Sequence, residues 1–141
     1  MLRRLALFVV FCYGFWACEV YAKPVYQLST HILDIGTGKP AAEVKVDLFR
    51  RNSAGDWNRV ASSLTDMNGR IADFLPMPDS YTQRGNNGVY MLRFLTREYF
   101  DKSGQNSIYP FVEVVFEIQD TSHYHIPLTL SANGYSTYRG S

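Results

Sequence analysis

Apolar side chains recur at every second position in several short stretches of this chain. Val44, Val46 and Leu48 alternate with Lys45 and Asp47, and Val112, Val114, Phe116 and Ile118 alternate with Glu113 and Glu117. A two-residue period sends successive side chains to opposite faces of a pleated strand, so each set predicts a strand with one buried and one wet face. Further strands are expected at Leu28 to Asp34, Trp57 to Thr65, Arg70 to Asp73, Val89 to Leu95, His123 to Ser131 and Tyr135 to Tyr138. Short strands bounded by turn residues, with little helical periodicity, predict an all-β sandwich.

Three breaks in the pattern carry information. Asp66-Met67-Asn68-Gly69 reads as a turn, because Asn68 and Gly69 tolerate positive φ and let the chain reverse before Arg70. Thr96, followed by Glu98 and later by Gly104, predicts one short helix over Arg97 to Ser103, with Thr96 as its cap. The stretch from Pro76 to Gly88 holds two prolines, Gly85, Asn86 and Asn87, and reads as a surface loop.

The N-terminal segment follows a different rule. Arg3 and Arg4 precede a 16-residue run, Leu5 to Val20, and Val20-Tyr21-Ala22 forms a small-residue cleavage site. This is the layout of a secretory signal peptide over residues 1–22, with the mature chain starting at Lys23 and destined for the periplasm or for secretion. The run carries Glu19 and falls short of the roughly 20 apolar residues that span a bilayer, so no membrane association is expected after cleavage. Cys12 and Cys18 leave with it, so the mature domain has no disulfide and its core or self-association must hold it together. Without Arg3, Arg4 and Glu19 the chain carries 12 basic and 12 acidic residues, a balance that argues against a nucleic-acid partner. The remaining 119 residues suit a single domain.

Candidate chemistry begins with the three histidines. In the strand over His123 to Ser131, His123, His125, Pro127 and Thr129 share one face, while Tyr124, Ile126, Leu128 and Leu130 form the core face. His125 therefore lies on the wetter side, where it can bind, catalyse or simply be solvated. His31 shares a side with Ser29 and Leu33, a position that also suits a surface histidine paired to a neighbouring hydroxyl. Arg70, just after the Asn-Gly turn, reads equally well as exposed. A His-x-His pair with a third histidine is also a usable zinc ligand set, which makes a zinc hydrolase the bottom-up alternative, though no Cys, Asp or Glu flanks the pair.

Four separated motifs narrow these alternatives. Leu28-Ser29-Thr30-His31-Ile32-Leu33-Asp34 with Gly38-Lys39-Pro40-Ala41, then Thr65-Asp66-Met67-Asn68-Gly69-Arg70, then His123-Tyr124-His125-Ile126-Pro127-Leu128, and finally Tyr138-Arg139-Gly140-Ser141 resemble, in order, the motifs of the transthyretin-like 5-hydroxyisourate hydrolases. The resemblance implies an eight-stranded transthyretin-like sandwich with one short helix, assembled as a homotetramer around a channel. It implies hydrolysis of 5-hydroxyisourate to 2-oxo-4-hydroxy-4-carboxy-5-ureidoimidazoline in urate degradation, with neither metal nor organic cofactor. It places His31, Arg70, His125 and Ser141 in the catalytic site, Tyr138 against the substrate ring, and leaves open which histidine is the base and whether Ser141 acts through its hydroxyl or its carboxylate. Transthyretin, a carrier of the same fold, lacks the histidine pair and the tetrapeptide, so a transthyretin-like small-molecule carrier is the second alternative. Thr129 and Ala132-Asn133 depart from the hydrolase pattern, where leucine and a proline-aromatic pair are frequent.

Overall fold

The computed structural model describes residues 25–78 and 85–141. The expected signal peptide, with Cys12, Cys18 and the Lys23 start, lies outside the described residues, as do residues 79–84 of the expected loop.

Two antiparallel-dominated sheets face each other across one apolar core. The first is built on β1 (Tyr26–Asp34), which pairs in parallel with β8 (Tyr124–Ser131); β9 (Gly134–Thr137) continues the sheet beyond β8. Along its other side β1 pairs first with β5 (Arg70–Pro76) and then with β2, the two residues Lys39–Pro40. The second sheet runs in the order β4 (Trp57–Leu64), β3 (Lys45–Arg51), β6 (Gly88–Phe94), β7 (Val112–Ile118). Eight of these strands are those expected from the alternation. The short β2 is an addition, too brief to leave a periodic signal.

Inward-facing residues of both sheets make the core. Leu28, Ile32, Leu128 and Leu130 from the first sheet meet Val46, Leu48, Leu92 and Phe94 from the second, all at 1% exposure or less. Polar atoms on the inward face are matched by local acceptors. Thr30 Oγ1 donates to the Ile126 carbonyl at 2.7 Å, and the Tyr90 hydroxyl donates to the Asn86 carbonyl at 2.8 Å. Truncating a residue such as Phe94 to alanine would cost about 3–5 kcal/mol through lost burial and the cavity left behind.

The single helix among the described residues, α1 (Thr96–Lys102), follows β6 directly. Its C-terminus ends as expected. Gly104 takes φ 68° and donates to the Asp101 carbonyl, while Gln105 donates to the Phe100 carbonyl. That pair of bonds satisfies the last turn and needs a left-handed residue at Gly104. The start differs from expectation. Leu95 occupies the cap position with no side-chain cap bond, and Thr96 is the first helical residue, fully buried, its Oγ1 without a partner. The reason is that β6 continues into the helix with no polar linker. Leu95 N–H still donates to the Lys45 carbonyl of β3 at 2.9 Å, which leaves Thr96 no freedom to adopt a cap conformation.

Candidate active site

The turn between β4 and β5 is closed by its own aspartate and tied to β1 through Gly69. Asp66 Oδ1 accepts from the Asn68 and Arg70 N–H groups at 2.9 Å each, and Gly69 N–H donates to the Asp66 carbonyl at 2.8 Å. Of the two residues expected to use positive φ, only Gly69 does so, at 71°. A Cβ at Gly69 would also meet the Ile32 carbonyl oxygen at 2.5 Å, so the turn docks against β1 only because Gly69 lacks one. Ile32 N–H donates to the Gly69 carbonyl at 2.9 Å, and the ladder then sets Arg70 directly opposite His31.

On its other side β1 brings a second histidine to the same face. The parallel register pairs Ser29 with His125 and His31 with Pro127. The expected parity holds: Tyr124, Ile126, Leu128 and Leu130 are buried, and His125 and Thr129 are half-buried on the outer face. Ser29 Oγ lies 2.8 Å from His125 Nδ1 and 2.8 Å from His123 Nε2, and His123 Nδ1 lies 3.0 Å from the Tyr26 carbonyl oxygen.

The last residues close over His125. β9 ends at Thr137, yet an isolated bridge pairs His125 with Gly140, and Gly140 N–H donates to the His125 carbonyl at 2.8 Å. A Cβ at Gly140 would meet His125 Cδ2 at 2.5 Å. The glycine is therefore the residue that lets the chain pass flat against the imidazole.

The electrostatics favour neutral imidazoles. Burial lowers the pKa of His31 below its ordinary value, and the Arg70 guanidinium lowers it further, against the opposing pull of the Asn68 backbone and the Asp66 carboxylate. His125 is lowered by burial first, then by Arg70, His31 and His123. A neutral imidazole beside a fixed cation is suited to accepting a proton while the cation stabilises a developing anion. Among the described residues, no three His, Cys, Asp or Glu side chains gather as a metal-binding group. The zinc alternative needed the histidine pair to converge on one ion, whereas His123 and His125 each direct a ring nitrogen to Ser29.

A profile of the HIUase/Transthyretin family matches residues 28–140. The chain belongs to that family. Among its relatives, a probable 5-hydroxyisourate hydrolase of Caenorhabditis elegans is 42% identical over 125 residues, covering 85% of each chain. The solved 5-hydroxyisourate hydrolase of Klebsiella pneumoniae is 38% identical with a TM-score of 0.66, covering 81% of this chain and 98% of the other. Sea bream transthyretin, solved in complex with thyroxine, is 29% identical with a TM-score of 0.72, covering 81% of this chain and 94% of the other. This member of the HIUase/Transthyretin family thus shares its fold with both a hydrolase and transthyretin, and the side chains on the outer face of β1, β5 and β8 must discriminate.

Of the residues expected in the site, this family member brings His31, Arg70 and His125 together on that face, with Gly140 paired to His125 and Ser141 following it, exposed. Tyr138 stands apart from them. It is 59% exposed and lines a recess of about 360 Å³ between the open edges of the two sheets, with Val114, Tyr124 and Ile126. Ser29 was read from sequence only as a neighbour of His31, and His123 only as a companion of His125. Their contact spans more than 90 residues and depends on the parallel register, which no local pattern announces.

Proposed function

We propose that this chain hydrolyses 5-hydroxyisourate to 2-oxo-4-hydroxy-4-carboxy-5-ureidoimidazoline, with no metal or organic cofactor. The observation that carries the reading is the convergence of two pKa-lowered histidines and one arginine on a single sheet face. Water adds to a ring carbonyl carbon of the substrate and gives a proton to a neutral histidine. Arg70, permanently protonated and with a planar fork of donors, holds the oxygen on which negative charge develops. As the ring C–N bond breaks, the departing nitrogen takes up the proton from the histidine, and the carbonyl carbon, still bonded to the remaining ring, becomes the new carboxyl group. Ser141 completes the site through its hydroxyl or carboxylate; Tyr138, expected against the ring, lines the separate recess in the single chain and has no part in these steps.

The relatives support this reading over the carrier. Fold alone does not decide function, and the higher TM-score to transthyretin is a statement about backbone. The identity is greater to the hydrolases, and the histidine-arginine face has the chemistry of hydrolysis.

The assembly belongs to the same proposal. β7 and β9 each have one unpaired edge, and Val115 and Tyr138 are exposed on or beside them. Open edges demand cover in a soluble protein, and pairing them between copies yields a dimer that doubles into a tetramer. Export through a cleaved segment over residues 1–22 is part of the reading, supported by its charge and hydropathy pattern.

The direct test follows the optical decay of freshly generated 5-hydroxyisourate, with the product identified by NMR and thyroxine binding measured in parallel. Enzyme-dependent decay to the ring-opened acid is expected. Thyroxine binding without any acceleration of decay would replace the hydrolase with a carrier.

A further inference from the structure

The hydrogen bonds that run from Tyr26 to His125 have only one consistent direction when the imidazoles are neutral. A backbone carbonyl can only accept, so His123 Nδ1, 3.0 Å from the Tyr26 oxygen, carries its proton and donates it there. A neutral His123 then has a bare Nε2. That nitrogen must accept from Ser29 Oγ at 2.8 Å, which uses the only hydrogen the hydroxyl has. Ser29 Oγ is left with lone pairs alone toward His125 Nδ1, also at 2.8 Å, so His125 Nδ1 carries the proton and donates it. The nitrogen on the opposite side of the His125 ring, Nε2, is bare.

We infer that Ser29 and His123 are positioning residues that hold His125 in the Nδ1–H tautomer, making its Nε2 the proton acceptor of the hydrolysis. The inference rests on the hydrolase reading for the second clause and on geometry alone for the first. It gives the strand parity a purpose: His123, exposed and just ahead of β8, never meets the reacting atoms yet orients the group that does. A free imidazole prefers the Nε2–H form, so without an acceptor at Nδ1 the ring would offer the site a donor where a base is needed. The tautomer of a histidine is set by the partner of its other nitrogen, and here that partner is set in turn by a second histidine and a main-chain carbonyl. The groups facing His125 are Arg70 from β5, His31 from β1 and His123 beside it, and none of them except His123 competes for the Ser29 hydroxyl. Gly140 packs on the Cδ2 edge and fixes the ring plane, so the tautomer alone decides what Nε2 presents.

The substitutions that test this differ in what they leave at each link. Ser29→Ala removes the link, and Ser29→Thr keeps a hydroxyl. His123→Gln retains an oxygen that accepts from Ser29, whereas His123→Lys supplies only donors and turns the hydroxyl around. Nitrogen-15 NMR of the histidine rings, at mildly alkaline pH where they are neutral, reads the tautomer without reference to activity. The wild type, Ser29→Thr and His123→Gln are expected to show His125 as Nδ1–H. Ser29→Ala and His123→Lys are expected to shift it toward Nε2–H and to lower kcat by about 10- to 100-fold, less than the roughly 10²- to 10⁴-fold a general base contributes because the imidazole itself remains, with KM little changed. An Nε2–H tautomer in the wild type, or an Nδ1–H tautomer that survives in Ser29→Ala, overturns the positioning role even if turnover is normal. A tautomer that responds as expected in a protein that turns over no 5-hydroxyisourate retains the hydrogen-bond chain and overturns the catalytic clause with the hydrolase reading.

Discussion

The two ends of β1 treat their polar groups in opposite ways. At its C-terminal end Asp34, 1% exposed, accepts from the Gly36 and Thr37 N–H groups at 2.8 and 3.2 Å and from the Tyr99 hydroxyl at 2.8 Å. Burial, followed by the hydrogen bond to Asp34 and its charge, pushes the Tyr99 pKa up to about 12, so that hydroxyl stays a donor across the accessible pH range. Toward the N-terminal end, Ser29 and His31 lie half-buried on the outward face, and the half-buried His125 beside Ser29 keeps its Nε2 in reserve. The same alternating strand thus carries a saturated corner that holds the helix to the sheet and an unsaturated face that can do chemistry. The difference lies in where spare hydrogen-bonding capacity remains: a group whose partners are all internal contributes rigidity, and one left half-partnered is available to a substrate.

The sharpest way to break that contrast is at residues 138–141. Deleting Tyr138 to Ser141 removes the segment whose Gly140 is bridged to His125 and is expected to reduce turnover by roughly 10² or more, the scale of an ångström-level misplacement of a reacting group. Gly140→Ala should act the same way to a lesser degree, since its Cβ displaces the His125 ring. Circular dichroism and light scattering would confirm fold and assembly, and normal turnover in the assembled deletion would detach this segment from the site.

The corner should respond in the other currency. Asp34→Ala strands two N–H groups and the Tyr99 hydroxyl, and is expected to cost about 1–3 kcal/mol of stability in denaturant titration, with kcat retained in the folded protein. A fall in kcat at unchanged stability would erase the distinction between the two ends.

Acid pH sharpens the comparison from the other side. His31 and His125 have folded pKa values below the ordinary 6.5, so the unfolded state binds more protons in that window. Stability and base function are both present above it and are lost as pH falls through the lowered values. NMR titration should place both histidines below 6.5, and Arg70→Ala should move them up toward it. Midpoints at or above 6.5 in the wild type would contradict the burial of this face. The smallest expected effect is that of exhaustive chelation, which should leave the rate unchanged because Ser29 occupies ring nitrogens of both His123 and His125; a rate abolished by chelation and restored by zinc would require a different reading of the three histidines.

Much of this was legible along the chain. Strict alternation placed the two faces of β7 and β8 correctly, and the Gly104 helix end and the Asp66–Gly69 turn followed from local backbone requirements. Local reasoning failed at Thr96, where a cap-type residue is buried because β6 runs straight into α1, and at β2, where two residues have no period. For the site, the chain showed that His125 faces away from the core but not what stands beside it. The parallel pairing of β1 with β8 brings Ser29 between His123 and His125, and the spacing of strands so far apart is a tertiary fact. The motifs of the hydrolases named His31, Arg70 and His125; the network around Ser29 emerged only from the register.

The most direct test of the central claim, that this sheet face hydrolyses 5-hydroxyisourate, compares the wild type with Arg70→Ala in one decay assay. The account predicts rapid enzyme-dependent ring opening by the wild type and a loss of roughly 10² or more in the variant, the scale of removing one preorganised charge donor, with matching circular dichroism and assembly. Equal rates in two well-folded proteins would contradict it.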